Sequence, residues 1–480
     1  MMTMQHNLDQ LDAPQLRVLA RCLMATLGQK DEALQSKEQD IQYKDARITQ
    51  LSHEIAILRR HKFGQKSEQW AGVQAHLFED AIGEDLEAIE RELQELEPLK
   101  APRAPLDRPK REALPPQLPR MEYRHEPHST RCPCGCQLKR IREEISEKLD
   151  YAPGTFSVER HIRGVWACPG CQTMTQEPMP AHIIDKGLPA TGLLAQILIN
   201  KFADHLPLYR QEAIFKREGV HVPRSSMAQW VGQCGHQLQP LVDALQRCVL
   251  EHGILHADET PVRLLKPGSG KTHKAYLWAY APGKFESLKA VVYDFNEGRA
   301  GEFARQFLGD WKGKLVVDDF AGYRASFRQG VTEIGCMAHA RRKYFDLYKS
   351  SKSPTAHRAV ELIGELYEIE REALTLSPER RLALRQEKAK PLADKLHEWM
   401  LAQRQRVLDG SGIAKALDYS LKRWAALTRY LDDGQVPIDN NHIEQQIRPV
   451  AIGRANWLFA GSLRAGKRAA AIMSLIQSAK

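Results

Sequence analysis

Aromatic residues are scarce in this 480-residue chain, 7% of the total, and the hydrophobic fraction of 42% lies a little below the globular norm. This argues against one large core and for long solvated helices beside a smaller one. The length itself predicts two to four domains. Long apolar runs are missing too. The longest, around Leu193–Ile199, is far too short to span a bilayer, and no apolar stretch follows a basic start as in a secretory signal. A disulfide framework is also lacking, because five of the nine cysteines crowd into 132–171. In a cytosolic chain such crowding reads as metal binding. These absences lead to the expectation of a cytoplasmic protein with no membrane partner.

Charge is present and uneven. Sixty-nine Lys and Arg face sixty Asp and Glu, a formal +9. Residues 79–97 are acidic, whereas 100–111 and 438–480 are basic. Local positive charge favours a polyanionic partner, since neutralising phosphates releases counterions.

Leu27, Leu34, Ile41, Ile48 and Ile55 recur every seven residues, with Leu51 and Leu58 at the complementary seam. This predicts a short coiled coil able to hold two chains together, the alternative being a single amphipathic helix packed on its own domain. Residues 98–120 carry seven prolines among basic residues and read as a linker. Residues 188–250 read as helices, with Pro223-Arg224-Ser225-Ser226 offering a helix start capped by serine. Two of these helices suit either a DNA-reading pair or scaffold. From 252 the period changes to short β-rich runs. GILHADET, KAYLWAYAP and LKAVVYDF are followed by a helix of about three turns in GRAGEFARQFLG, then by the strands KLVVDDF and TEIGC.

Asp258 closes the first run and Asp318 the fourth. If those strands are parallel neighbours, as in an RNase H-like sheet, the two acids share one edge. Glu444, at the start of a late helix, would lean over the same edge. Three hard oxygen ligands suit two Mg²⁺ (or Mn²⁺) ions about 3.5–4 Å apart, flanking a scissile phosphodiester. Asp319 and Asp439 compete on composition alone, and solvated strand-end acids are the ordinary alternative.

Cys132, Cys134, Cys136, Cys168 and Cys171 offer four of five thiolates for a structural Zn²⁺ in a module too small for its own core. Which of the first three is left out stays open. His339, Arg341, Arg342 and Lys343 follow the fifth strand. Arg448, Arg454, Arg464, Lys467 and Arg468 surround Glu444, where cations would grip a DNA backbone without reading sequence. Trp311 and Trp457 suit base stacking or, more simply, packing.

In RRHKFGQKSEQ, KFADHLPLYRQEAIFKREGVHVPRSSMAQW, HADETPV, VVDDFAGY, IGCMAHARRKYFD and IDNNHIEQQIRPVAIGRANWLFAGS, the chain resembles the large transposase of the insertion-sequence-66 family over nearly its whole length. One departure is Ala455, where GRAN replaces the more usual GRKN. The resemblance implies that Asp258, Asp318 and Glu444 form a DDE site, with a helical insertion at about 338–435. It also implies transposon-end and target DNA as partners, small accessory proteins from the same element, and a place at the bacterial nucleoid. The expected α/β architecture is thus multidomain. It has N-terminal helices with the coiled coil (1–70), an acidic helix and linker (71–120), a zinc module (121–182), a helical DNA-binding region (183–250) and an RNase H-like catalytic core (251–480). The expected activity is cleavage at transposon ends followed by joining of 3′-OH ends to target DNA. The alternatives are a DNA-binding relative without activity and a nuclease of the same fold that does not join.

Overall fold

The computed structural model describes residues 13–63, 73–96, 114–152, 154–184, 187–265 and 271–480. The side chain of Leu27 and most of the expected linker, residues 97–113, lie outside that description. The chain falls into two compact units, one comprising 1–65 with 89–106, the other 66–88 with 107–480.

In the first unit, helix α1 (Ala13–Phe63) meets the last part of helix α2 (Val73–Leu96). Leu51, Leu58 and Ile89 are buried, and Arg47–Glu92 and Arg59–Glu90 ion pairs, each 2.7 Å, flank them. The heptad pattern is therefore divided. Ile48 and Ile55 are half-buried, while Leu34 and Ile41 remain 57% exposed.

The second unit begins with a small sheet of β1 (Arg120–His125), β2 (Lys139–Ala152), β3 (Thr155–Ala167) and β4 (Met174–Gln176). Strand β3 forms its middle, pairing with β2 as an antiparallel hairpin, with β1 in parallel and with β4 antiparallel. Helices α3 (Thr191–Phe202), α4 (Leu208–Arg217) and α5 (Arg224–Leu250) follow. The serine cap expected on α5 is not made. Pro223 is the N-cap residue, and the half-buried N–H of Arg224 instead donates to Glu212 of α4 at 3.0 Å. A cap thus arrives from a neighbouring helix, which local sequence does not reveal.

The main sheet contains β5 (Ile254–Leu265), β6 (Thr272–Pro282), β7 (Val292–Asn296), β8 (Lys314–Val317) and β9 (Thr332–Gly335), in the order β7-β6-β5-β8-β9. The first three are antiparallel, and β8 and β9 run parallel to β5. Helix α6 (Gly301–Leu308) precedes β8 and the short α7 (Arg324–Arg328) precedes β9. Helix α6 is shorter than expected because the chain is still extended at Ala300, so the helix starts at Gly301, and it stops at Gly309, at φ 53°.

Side chains alternate across β5. Val262 and Leu264 join a core with α3, α5, α14 (Asn441–Trp457) and α15 (Leu463–Ser478). Leu255 and Ala257 join the opposite core with α6. Between β9 and α14 the chain forms a helical bundle: α8 (Met337–Ser351), α9 (Pro354–Ala373), α10 (Pro378–Leu384), α11 (Lys390–Arg404), α12 (Gly412–Lys422) and α13 (Trp424–Thr428). Tyr344, Leu366, Leu396 and Leu417 form part of its core. Arg385, fully buried, pairs with Glu370 and donates to the carbonyls of Tyr430, Asp433 and Val436, pinning the return to the sheet.

Arg468 corrects a sequence expectation. It is not a surface cation facing DNA; it is 5% exposed and pairs with Glu84 at 2.8 Å and Asp85 at 3.0 Å. Glu84 also binds Lys201 at 2.9 Å. The two glycines inside α5 make this possible. A Cβ at Gly232 would lie 2.3 Å from the Glu84 carbonyl, and one at Gly235 would lie 2.4 Å from the Arg468 side chain. Arg468→Ala would strand two buried carboxylates, so a loss of about 3–5 kcal/mol is expected from urea unfolding. Lys467→Ala, on the exposed neighbouring face, should change stability by less than about 0.5 kcal/mol. Equal effects would contradict the burial assigned to Arg468.

Candidate functional site

The strand register brings the first two acids together. Ile254 pairs with Lys314, Leu255 with Leu315 and His256 with Val316. Extending that parallel register two residues sets Asp258 opposite Asp318. Strand β5 does not end at Asp258, as the sequence suggested, but runs on to Leu265. The shorter β8 ends at Val317, and this opens the edge where Asp318 emerges. Both carboxylates are anchored by nearby backbone: Asp258 accepts the N–H of Glu259 and Asp318 that of Phe320, each at 2.8 Å. Glu444 sits in the first turn of α14, on the Asp258 side of the sheet. Its carboxylate lies 3.7 Å from His339 and 3.6 Å from Arg342.

The electrostatics record this crowding. Burial first, then the charges of Glu259, Asp318 and Glu444, raise the Asp258 carboxyl from 3.8 to about 8. The adjacent acids have other commitments. Glu259 points to the opposite face, where Arg299 pairs with it at 2.5 Å and the Tyr323 hydroxyl donates to it at 3.2 Å. Asp319 pairs with Arg423 at 3.0 Å. Asp439 accepts from the Tyr367 hydroxyl and the Asn441 backbone. Asp258, Asp318 and Glu444, the last also beside Arg342, offer the hard oxygen donors that divalent cations take.

Asn440 and His256, both fully buried, were not singled out from the sequence. The Asn440 amide donates to the carbonyl of Ala257 at 2.9 Å and accepts from His256 Nδ1 at 2.7 Å, while its backbone N–H donates to Cys336 Sγ at 3.2 Å. An Asn-Asn pair ahead of a helix looks like an ordinary turn, so only its place beside a candidate acid offered a signal.

In the small sheet, Cys132, Cys134, Cys168 and Cys171 bring their sulfurs within 4.8 Å of one another. Cys132–Cys171, Cys134–Cys168 and Cys134–Cys171 are 3.3, 3.5 and 3.7 Å apart. Zn–S bonds of about 2.3 Å in a tetrahedron place sulfurs about 3.8 Å apart, so the donor set fits zinc. The grouping leaves Cys136 out. The first cysteine turn depends on Gly135 at φ 88°, a conformation that suits glycine. Thr173 bonds hold the Cys171 thiol down at about 6.

A family profile described as "Transposase IS66 family" matches residues 186–468, well over half of the chain. The chain belongs to the IS66 transposase family. Two further profiles, "zinc-finger binding domain of transposase IS66" and "Transposase C of IS166 homeodomain", match 129–172 and 50–122. Three uncharacterized proteins of Sinorhizobium fredii are similar. Protein y4qI is 38% identical over 451 residues, covering 90% of this chain and 83% of that protein. Protein y4jD is 37% identical, covering 76% and 74%, and y4hP is 35% identical, covering 78% and 71%. Membership of the IS66 family implies a role in DNA transposition and binding to DNA. Among the described residues, no helix is long and apolar enough to cross a membrane.

The remaining cations of this IS66 chain divide by setting. Arg341, Arg342 and Arg371 line an open recess beside Asn441. Arg448 and Lys467 are exposed, whereas the Arg454 guanidinium is tied to the Pro261 carbonyl at 3.0 Å. Trp311 donates to the His252 carbonyl at 2.8 Å, and Trp457 packs against the core; packing accounts for both.

Without added divalent cations, folded Asp258 keeps its proton up to about pH 8, whereas the unfolded chain loses it near 3.8. The folded state therefore binds more protons between those values, and stability falls as pH rises through them. Asp258→Asn removes that slope and should stabilise the metal-free protein by roughly 2–5 kcal/mol near pH 8. Urea unfolding of both proteins at about pH 5 and about pH 8 tests this. Parallel profiles would show that Asp258 is not the group held protonated.

Proposed function

We propose that this chain cleaves DNA at transposon ends and joins the resulting 3′-OH ends to target DNA, with Asp258, Asp318 and Glu444 as its DDE set on an RNase H-like core. The observation that carries this reading is the β5–β8 register opposing two acids while α14 presents the third on the same side. The order β7-β6-β5-β8-β9, with a helical bundle between β9 and α14, agrees with that core.

The three carboxylates would hold a pair of Mg²⁺ or Mn²⁺ ions, whose chemistry activates the attacking oxygen and offsets charge on the leaving one. The protein supplies position. Asp258 and Asp318 are fixed by rigid strands, and Glu444 by a helix locked through Asn440. Arg341 and Arg342 beside the acid edge, with Arg448 and Lys467 on α14 and α15, are placed to bind backbone phosphates. Cleavage by water frees a 3′-hydroxyl, and that hydroxyl attacks target phosphorus in line; one phosphodiester bond forms as another breaks, with no covalent protein intermediate. Cys132, Cys134, Cys168 and Cys171 would hold a structural Zn²⁺. The exposed Leu34–Ile41 stripe supports self-association through α1, and the bacterial nucleoid is the expected place of action.

The test is cleavage of a terminal-repeat duplex and strand transfer of a pre-cleaved end, each with Mg²⁺. Glu444→Gln should lose at least about 10²-fold in both reactions while retaining DNA binding. Equal activity in the two proteins would remove Glu444 from the site, and nicks without joined product would reduce the function to hydrolysis.

A further inference from the structure

We infer a second metal site in this chain, formed by Cys336, His339 and Glu444 and suited to a borderline-soft divalent cation such as Zn²⁺. The three ligand atoms lie within 4.8 Å of one another. Cys336 is the N-cap residue of α8 and His339 lies in its first turn, so the i, i+3 spacing sets both on one side of the helix. Glu444 approaches from the first turn of α14.

The partners these atoms lack are the second observation. His339 Nδ1 and Glu444 Oε1 are both shielded from solvent, and neither has a hydrogen-bond partner. They face each other at 3.7 Å, too far apart for a hydrogen bond. Buried polar atoms are nearly always satisfied, and a pair orphaned toward a common point needs an explanation. A cation between them, with Zn–N and Zn–O bonds of about 2.0–2.2 Å and a Zn–S bond of about 2.3 Å, would satisfy both and take the thiolate as third ligand.

The surroundings of the sulfur fit as well. Cys336 Sγ accepts the backbone N–H of Asn440 at 3.2 Å and bonds with the backbone of His339. Such donors orient and stabilise a ligating thiolate. One sulfur, one imidazole and one carboxylate do not suit Mg²⁺, which takes oxygen donors, but they suit zinc. Three protein ligands also leave a fourth position open. This site is separate from the cysteine module and shares Glu444 with the acid edge. Zinc bound here takes Glu444 Oε1 and competes with the catalytic cations for that carboxylate, so zinc inhibits Mg²⁺-dependent cleavage. The inhibition rests on the DDE reading above; the binding site does not.

The experiment uses the full chain, stripped of metal, titrated with Zn²⁺ alone, gel-filtered and analysed for bound zinc by mass spectrometry. The expected count is two ions per chain, one from the cysteine module and one from this site, falling to one in Cys336→Ser and in His339→Ala. His339 is partly exposed, so its variant preserves the test if the buried cysteine cannot be changed without unfolding. One ion in the wild-type chain, or two in both variants, overturns the site. In end cleavage, zinc in slight excess should lower the wild-type rate about ten-fold or more, and His339→Ala much less relative to its own zinc-free rate. A count of two with an unaltered rate overturns the competition for Glu444. A wild-type chain that cuts no DNA overturns the DDE reading and leaves the zinc count to decide the site.

Discussion

Asn440 is the constraint on which the candidate site depends. One buried side chain holds β5 through the Ala257 carbonyl and His256, while its own N–H holds Cys336 at the end of β9. Each anchor lies close to a residue of interest. Ala257 precedes Asp258, Cys336 begins the turn that carries His339, and Asn440 begins the helix that carries Glu444. The direction of every bond is fixed. Burial holds His256 near 3 and therefore neutral, and the amide nitrogen must face the carbonyl, so its oxygen accepts from His256 Nδ1. A carboxylate in place of this amide would set acceptor against acceptor in a fully buried site, a costly arrangement. Segments distant in sequence are thereby registered to within a hydrogen bond.

Such registration matters because the site gathers negative charge. Acids adjacent to the chosen three are each balanced locally: Glu259 by Arg299, Asp319 by Arg423, and Asp439 by Tyr367 and the backbone of Asn441. Asp258 and Asp318 have no such ion pair among the described residues, Glu444 shares its charge with Arg342, and burial together with the neighbouring acids raises the Asp258 carboxyl. The rest of the fold must hold these groups together against repulsion until a cation offsets it. The buried Arg385 and Arg468 networks do so at a distance, one fastening the helical bundle to the return segment and the other seating α15 against α2.

Much of this was legible in the sequence because period and spacing carry it. Apolar β-rich runs gave the strands, the fourth of them ends just before Asp318 although β5 runs on past Asp258, and clustered cysteines marked the zinc-type module. What escaped depends on contacts across the fold. The charge of Arg468 gave no hint of its burial, since its neutralising partners lie in a helix nearly four hundred residues earlier. The heptad of α1 reads as one seam, yet Leu51 and Leu58 are covered while Leu34 and Ile41 are not. The α5 cap comes from Glu212 and not from the adjacent serines. Five cysteines in a CxCxC…CxxC spacing did not disclose which is left out; the folded turns group Cys132 and Cys134 with Cys168 and Cys171.

The same alternation that sorts the acids also sets a direction for DNA. Even-numbered positions of β5 around Asp258 face α14, and odd ones face α6, so on the proposed reading a phosphodiester strand would reach Asp258 from the α14 side. Along α14, Arg448 follows Glu444 by four residues and shares its helical face. A backbone with its scissile phosphate at the acids would therefore meet the next cation one helical turn, about 5.4 Å, further on. That rise is close to the spacing of successive phosphates, so on the proposed reading Arg448 would grip the nucleotide next to the one at Glu444. Arg468 supplies no such grip, because its charge is spent inside the protein. Sequence counts of cations near Glu444 therefore overstate the exposed charge, which includes Arg448 and Lys467 but not Arg468.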